Sequence, residues 1–176
     1  GNSWANRLTP RTIDRLAFAT EVAINQAGGN GPLRITTSPR TPNAFTDAIA
    51  ARFPAAQMHR FGAGQNPYQK WPAEASACII TGDSVSLIAD GVATGAPTYV
   101  AVADDARVIG GLRSIAPSLT AKWLTTCGNR KILAPPPFPS AILAKLEAAE
   151  FATRADNYVV IKGARSRVIA EHKAAI

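Results

Sequence analysis

The fold of this chain is decided by residues 77–102, ACIITGDSVSLIADGVATGAPTYVAV. Residues 77–81 are apolar without in/out alternation, which is typical of a strand buried on both faces. A Gly-Asp-Ser turn then leads into a helix over 85–93, and after a Gly-Ala-Pro stop a second strand is predicted over 98–102. A strand-helix-strand unit of this kind folds as a right-handed crossover between parallel strands.

The same alternation extends toward the N-terminus. Thr9 is the predicted N-cap of a first helix, Pro10 its first residue, and Thr41 and Pro42 take the same roles in a helix ending near Arg52. The other predicted elements are the first helix over 9–27, strands over 33–37 and 57–61, and a helical turn over 68–75. This order predicts the α/β class: one Rossmann-like, doubly wound domain over residues 1–176, with a mainly parallel sheet and helices on both faces.

The pattern is less regular after Asp104. Helices are predicted over 108–115, 118–126 and 140–151, and residues 158–161 suit either a strand or the start of a last helix. At the other end, a doubly wound unit usually opens with a strand, whereas this chain has a loop-like Gly-Asn-Ser before its first helix. We therefore expect that the first strand lies upstream and that the chain is the C-terminal half of a longer two-domain protein.

Composition excludes several classes of protein. Of 176 residues 47% are hydrophobic and 18% charged, which predicts a globular domain with a real core. The chain has neither a long apolar span nor a signal-peptide layout, so we expect a soluble, cytoplasmic protein without a membrane span. Cys78 and Cys127 are isolated, which predicts neither a disulfide framework nor a metal site.

The net charge of +7 does not by itself indicate nucleic-acid binding. The 19 Lys and Arg residues are spread along the chain, and no aromatic residue follows Arg165 in the basic C-terminal segment. A solvated basic surface is therefore favoured over a nucleic-acid partner.

The strongest candidate for ligand contact is the loop over 36–42. Ser38, Arg40 and Thr41 combine hydroxyl groups, a guanidinium and a helix N-terminus, and these groups together favour an anion. The alternative is that Thr41 only caps its helix and Arg40 is solvated.

A second loop, over 82–91, offers Asp83, Ser84, Ser86 and Asp90. Asp83 or Ser84 caps the following helix in any case. Ser86 and Asp90 are four residues apart and share a helical face, where Asp90 either accepts hydrogen bonds from ribose hydroxyls or is simply exposed.

The third loop is Gly-Gln-Asn-Pro-Tyr over 64–68. Asn66 is predicted to cap a helix that begins at Pro67, and Tyr68 either packs on a nucleotide base or fills the core. Elsewhere the sequence contains neither a nucleophile elbow nor a P-loop, and His59 and His172 stand alone, so no catalytic residues and no cofactor are predicted from motifs.

Four blocks resemble the C-terminal half of the mitochondrial-fission elongated-mitochondria-like proteins, whose bacterial members have often been labelled predicted nucleoside-diphosphate-sugar epimerases. The blocks are ITTSPRTP at 35–42, GQNPY at 64–68, IITGDSVSL at 79–87 and ATGAPTYV at 93–100. The resemblance lies within residues 33–102 and does not extend past Asp104.

The family is in turn similar to GT-B glycosyltransferases, whose C-terminal Rossmann-like domain holds a nucleotide sugar. The resemblance implies that Ser38, Arg40, Thr41, Asp83, Ser84 and Ser86 contact phosphate, and that Asp90 takes the place of a ribose-binding acid that is usually Glu. The epimerase label is not supported, because the Tyr-x-x-x-Lys set and the dinucleotide glycines are missing.

Two functions follow from the resemblance. One is the nucleotide-sugar-binding domain of a glycosyltransferase whose catalytic base lies in an N-terminal domain. The other is a non-catalytic module of the same fold that docks a protein partner, and fold alone does not choose between them.

Overall fold

A computed structural model describes residues 6–29, 31–105, 139–155 and 158–162, and this part of the chain is of the α/β class. Its elements are β1 Asn6–Arg7, α1 Pro10–Gln26, β2 Arg34–Thr36, α2 Asn43–Arg52, β3 Gln57–His59, α3 Lys70–Glu74, β4 Cys78–Thr81, α4 Val85–Ala93, β5 Thr98–Ala101, β6 Asp104–Asp105, α5 Pro139–Ala148, β7 Ala152–Arg154 and β8 Tyr158–Ile161. The helices predicted over 108–115 and 118–126 lie outside the described residues.

The described strands form three hydrogen-bonded groups. β2 pairs with β3 and β4 pairs with β5, both in parallel as the sequence predicts. β8 then pairs antiparallel with both β5 and β7, and β1 pairs antiparallel with β6. The three-residue connection from β7 to β8 is too short for a parallel crossover, so the far half of the sheet is antiparallel. A doubly wound, mainly parallel sheet is therefore not confirmed.

Helices cover both faces of the four-stranded sheet β4-β5-β8-β7. Consecutive residues of a strand point to opposite faces, and two neighbours on β5 belong to different apolar clusters. Val100 packs with Ile88 of α4 and Leu143 of α5, whereas Tyr99 packs with Ala19 of α1. The layer predicted on each face is therefore present around these four strands.

The start of α1 agrees with the sequence, but the start of α2 does not. α1 begins at Pro10, and the Thr9 N–H donates to Thr12 Oγ1 at 3.1 Å. α2 begins at Asn43 with Pro42 in the cap position, one residue later than predicted. Thr41 is not the cap, because its Oγ1 accepts the N–H of Ser38 at 3.1 Å and closes the preceding loop instead.

The amino end of α1 lies at the carboxyl end of β5. Arg15 donates to the Val102 carbonyl at 2.7 Å and to Asp104 Oδ1 at 2.8 Å, and Thr9 Oγ1 also donates to Asp104. At the other end of the helix Gln26 accepts the Tyr99 hydroxyl at 2.5 Å. α1 therefore runs antiparallel to β5. None of the helices in the described ranges is long and apolar enough to cross a membrane.

Candidate functional site

A cleft of about 620 Å³ lies between the β2–β3 pair and the β4–β5 pair. Ile35 and Ile79 line it from the two inner strands. Helices and connecting segments contribute Leu16, Phe45, Trp71 and Leu87. Of the nine residues that the sequence proposes for the site, Ser38, Thr41 and Tyr68 line this cleft.

The loop between β2 and α2 is held in a closed turn by its own polar groups. The Ser38 N–H donates to Thr41 Oγ1, the two hydroxyl oxygens lie 3.1 Å apart, and the Thr41 N–H donates to the Ser38 carbonyl at 3.0 Å. Arg40 is exposed and forms no ion pair with a described residue. The loop therefore has a fixed backbone and carries a guanidinium that stays available to an anion.

A second, smaller hollow of about 140 Å³ lies beside this turn. Its polar lining consists of Thr37, Ser38, Thr41, Asn43, Thr46 and Arg60. Asn43 is the first residue of α2, and no side chain caps this helix. The main-chain N–H groups of the first turn are thus close to hydroxyls and a cation, an environment that suits a phosphate group.

Arg60 is a site residue that the sequence does not reveal. It follows β3, far along the chain from the loop between β2 and α2, and the parallel pairing of the two strands brings it there. The Phe61 N–H donates to Thr37 Oγ1 at 2.9 Å, which ties the two loops together. Arg60 also donates to Asp47 at 2.7 Å, so part of its charge is already neutralised.

The loop between β4 and α4 is packed into the protein. Asp83 and Ser84 are buried, while Ser86 is exposed. Ser84 takes the N-cap position of α4, but its hydroxyl lies 2.9 Å from the Ser86 hydroxyl and does not cap a main-chain N–H. These three residues do not line the cleft that Ser38 and Thr41 line.

The structure joins the three residues predicted for ribose and base. The Tyr68 hydroxyl donates to Asp90 Oδ2 at 2.6 Å across 22 residues of sequence. Asn66 Oδ1 accepts the Tyr68 N–H at 3.0 Å, an Asx turn, so Asn66 orients Tyr68. The helix cap predicted at Asn66 is wrong, because α3 begins only at Lys70.

Tyr68 is a hydrogen-bond donor that resists ionisation. Burial raises the pKa of Tyr68 well above its ordinary value, and the hydrogen bond to Asp90 and the charge of that carboxylate add to the effect. Asp90 itself is exposed on α4. The pair therefore presents one carboxylate with a fixed orientation to solvent.

A cation-aromatic group stands at the rim of the cleft. Arg34 donates to Glu74 at 2.8 Å, and its guanidinium carbon lies 5.9 Å from the centre of the Trp71 ring. The ring of His59 meets Trp71 edge-on, with centroids 6.5 Å apart. Nothing in the spacing of Trp71 along the sequence signals the Arg34 contact. Within the described segments no three His, Cys, Asp or Glu residues are grouped so as to hold a metal ion.

Comparison with known proteins gives one family. The family model described as Mitochondrial fission ELM1 matches residues 1–132. The Mitochondrial fission protein ELM1 of Arabidopsis thaliana is 34% identical over 90 residues, which are 50% of this chain and 21% of the relative. The chain thus spans about a fifth of the length of this curated relative. No solved structure matches the chain.

Proposed function

Because the chain belongs to the mitochondrial fission ELM1 family, we propose that it is the nucleoside-diphosphate-binding domain of a protein with GT-B glycosyltransferase architecture. In this proposal the domain is Rossmann-like and doubly wound, and it forms the C-terminal half of a longer, two-domain protein. Two parallel strand-helix-strand units support it, since ligands of such sheets bind beyond the carboxyl ends of the strands.

The observation that carries the proposal is the polar hollow at the start of α2. Ser38 and Thr41 supply hydroxyls there, and the first turn of α2 supplies N–H groups that no side chain caps. Arg40 is the exposed residue between Pro39 and Thr41, which both line the hollow, and it forms no ion pair with a described residue. A diphosphate bound at this point gains from the helix dipole and from charged hydrogen bonds without a metal ion.

The ribose belongs, in this proposal, at the Tyr68–Asp90 pair. Tyr68 occupies Oδ2 of the carboxylate, which leaves the other oxygen to accept a hydrogen bond from a ribose hydroxyl. Asp is one methylene shorter than the Glu usual at this position in GT-B enzymes, and the Tyr68 hydrogen bond holds the shorter carboxylate in one orientation. We assign Asp83, Ser84 and Ser86 to a second phosphate loop at the start of α4, where the hydroxyls of the two serines lie 2.9 Å apart.

Such a domain contributes electrostatic stabilisation to sugar transfer. When the glycosidic bond to the diphosphate breaks, negative charge grows on the departing oxygen, and Arg40 with the start of α2 stabilises it. The catalytic base is supplied by the N-terminal domain, and the acceptor approaches from that side.

The second candidate is a non-catalytic module of the same family that docks a protein partner. One observation favours it: Phe61 lines the polar hollow and is 52% exposed, and an exposed aromatic side chain beside polar groups is typical of protein interfaces. In that case the hollow binds an acidic group of the partner instead of a nucleotide.

The test is nucleotide binding by the chain and by Arg40→Ala. A thermal-shift panel of UDP, GDP, CDP, ADP and their sugar conjugates first identifies the base, since a ligand at about 100 times its dissociation constant adds about 2.7 kcal/mol to stability. Calorimetry should then show that Arg40→Ala weakens binding of the selected nucleotide by about 1.5–3 kcal/mol, the cost of a lost charged hydrogen bond.

Arg11→Ala is the matched control, because Arg11 is an exposed arginine on α1 that lines neither cavity and its loss changes the net charge equally. Equal affinity of the Arg40→Ala and Arg11→Ala chains would reject the phosphate assignment. No response to any nucleotide, together with binding of a partner protein that Phe61→Ser abolishes, would favour the docking module.

A further inference from the structure

The cleft between β2 and β4 lies at the edges of these strands and not on a face. Side chains of consecutive strand residues point to opposite faces, so a cavity on one face touches every second residue. This cavity touches all residues of β2, Arg34–Thr36, and all residues of β4, Cys78–Thr81. It therefore runs along two strand edges that face each other.

Both edges carry main-chain groups that point away from their partner strands. Leu33 and Thr37 bond to β3, so in the alternating pattern of a strand Arg34 and Thr36 direct their N–H and C=O groups to the other side. On β4, Cys78 and Gly82 bond to the β5 side, so Ile79 and Thr81 direct theirs into the cleft. β2 and β4 are not hydrogen-bonded to each other, and no other described strand lies between them.

The position of α1 indicates which segment fills the cleft between β2 and β4. α1 starts at the carboxyl end of β5, packs on β4 and β5, and runs back toward the start of β2. This is the path of a helix that follows one parallel strand and feeds the next. The residues shortly before α1, Asn6–Arg7, pair instead with Asp104–Asp105, which follow the carboxyl end of β5, so they do not supply the preceding strand.

We propose that the cleft is the slot of one β-strand, supplied by the segment of the natural chain that precedes Gly1 and leads into α1. The chain spans about a fifth of the curated relative, so a relative of this family has ample length for such a segment. Inserted there, the strand joins β3-β2 to β4-β5 in one sheet and pairs with the edges of β2 and β4 that bond to no other described strand. Its side chains are apolar, because Leu16 and Phe45 are among the residues that line the cleft.

The proposal predicts that an extended apolar peptide binds through its main chain. The probe is the end-blocked peptide KTVIVVTK, and the control is the same peptide with alternate main-chain nitrogens methylated, which keeps the side chains and removes hydrogen-bond donors. We expect the probe to raise the melting temperature of the chain, and the methylated peptide to bind at least about 10-fold more weakly.

Hydrogen exchange locates the bound peptide. The amides of Thr36 and Thr81 point into the cleft, whereas those of Ile35 and Ile80 already pair with β3 and β5. In the free chain Thr36 and Thr81 should exchange faster than their two neighbours, and the probe should remove that difference. Equal binding of the methylated peptide would mean simple apolar burial and would overturn the proposal.

A fusion protein tests the same proposal in case the free peptide binds the chain too weakly to detect. The sequence KTVIVVTK is fused directly before Gly1, and the control fusion carries KTPIPVTK, in which proline cannot donate. The first fusion should unfold at a higher temperature than the second and should protect Thr36 and Thr81. If neither the peptide nor the fusion protects these amides, the cleft does not take an added strand and the proposal is wrong. This is the result expected if another segment of this chain already fills the cleft.

Discussion

Replacing Gly91 with alanine tests the close packing of α4 on the sheet, which sets the position of the Ser84 and Asp90 side chains. Gly91 is buried, and a Cβ added there would lie 2.8 Å from Thr98 Cγ2 and 3.2 Å from Thr98 Oγ1. Thr98 is fully buried, and its hydroxyl donates to the Ala96 carbonyl at 3.2 Å. The threonine therefore cannot rotate away without breaking a buried hydrogen bond.

Two opposing free energies decide the size of the effect. Alanine is favoured over glycine inside a helix by about 0.8–1 kcal/mol. Forcing an extra carbon into a packed interface costs about 1–3 kcal/mol. We expect a cost in the upper half of that range here, because Thr98 is β-branched and held in place by its hydrogen bond. Gly91→Ala should therefore lower the free energy of unfolding by about 1–2 kcal/mol, which corresponds to about 0.5–1 M in the urea midpoint of a domain of this size.

Urea unfolding followed by circular dichroism measures this change. In a Thr98→Ser background the nearest carbon is removed and the hydroxyl kept, so there Gly91→Ala should become neutral or stabilise by up to about 1 kcal/mol. Ala89→Gly, at an exposed position of the same helix, is the control for helix propensity alone and should cost about 1 kcal/mol. Stabilisation by Gly91→Ala in the natural background would refute the packing argument.

Two further predictions concern Tyr68 and Leu143 of α5. Burial and the Asp90 carboxylate raise the pKa of Tyr68, so the folded chain keeps a proton that the unfolded chain releases near pH 10. The free energy of unfolding should therefore fall as pH rises above about 10, and it should fall less steeply in Tyr68→Phe. Part of the fall that remains in this variant comes from Tyr99, because burial raises the pKa of that residue too. Equal slopes for the two chains would contradict the Tyr68 assignment. Leu143→Ala should cost about 2–5 kcal/mol in urea unfolding, because Leu143 is 2% exposed among Val100 and Val159; a loss below about 1 kcal/mol would mean that α5 does not pack on this sheet.

The sequence predicts the elements whose ends carry strong local signals. α4 has the predicted bounds, Val85–Ala93, because a polar turn precedes it and Gly95 and Pro97 follow it. The family resemblance drawn from four short blocks is also confirmed. What was not predicted depends on distant pairing. β1 and β6 have two residues each, too few for any periodicity, and residues 158–161 form a strand only because β5 and β7 lie on either side of them.

In the candidate site, too, the sequence predicts individual loop residues but not the contacts between distant parts of the chain. The sequence predicts Tyr68 and Asp90 as site residues, each from its own loop, but no local pattern indicates that they bond to each other, since α3 and β4 lie between them in the chain. Arg60 was not predicted because only the parallel pairing of β2 and β3 places it beside Thr37. Local signals thus identify polar loops, whereas strand order decides which loops share a cavity.

Strand order also connects the two proposals. Neighbouring strands lie about 4.8 Å apart, so a strand inserted between β2 and β4 would hold them about 10 Å apart. The loops carrying Ser38 and Ser84 would then stand on either side of the loop that leads from the new strand to α1. Ligands of open α/β sheets bind at such a point, where successive crossovers turn in opposite directions. Nucleotide binding should therefore be measured on the chain fused to KTVIVVTK as well as on the chain alone. Tighter binding by the fusion, lost again in Arg40→Ala, would show that the phosphate loops act together only when the sheet between them is complete.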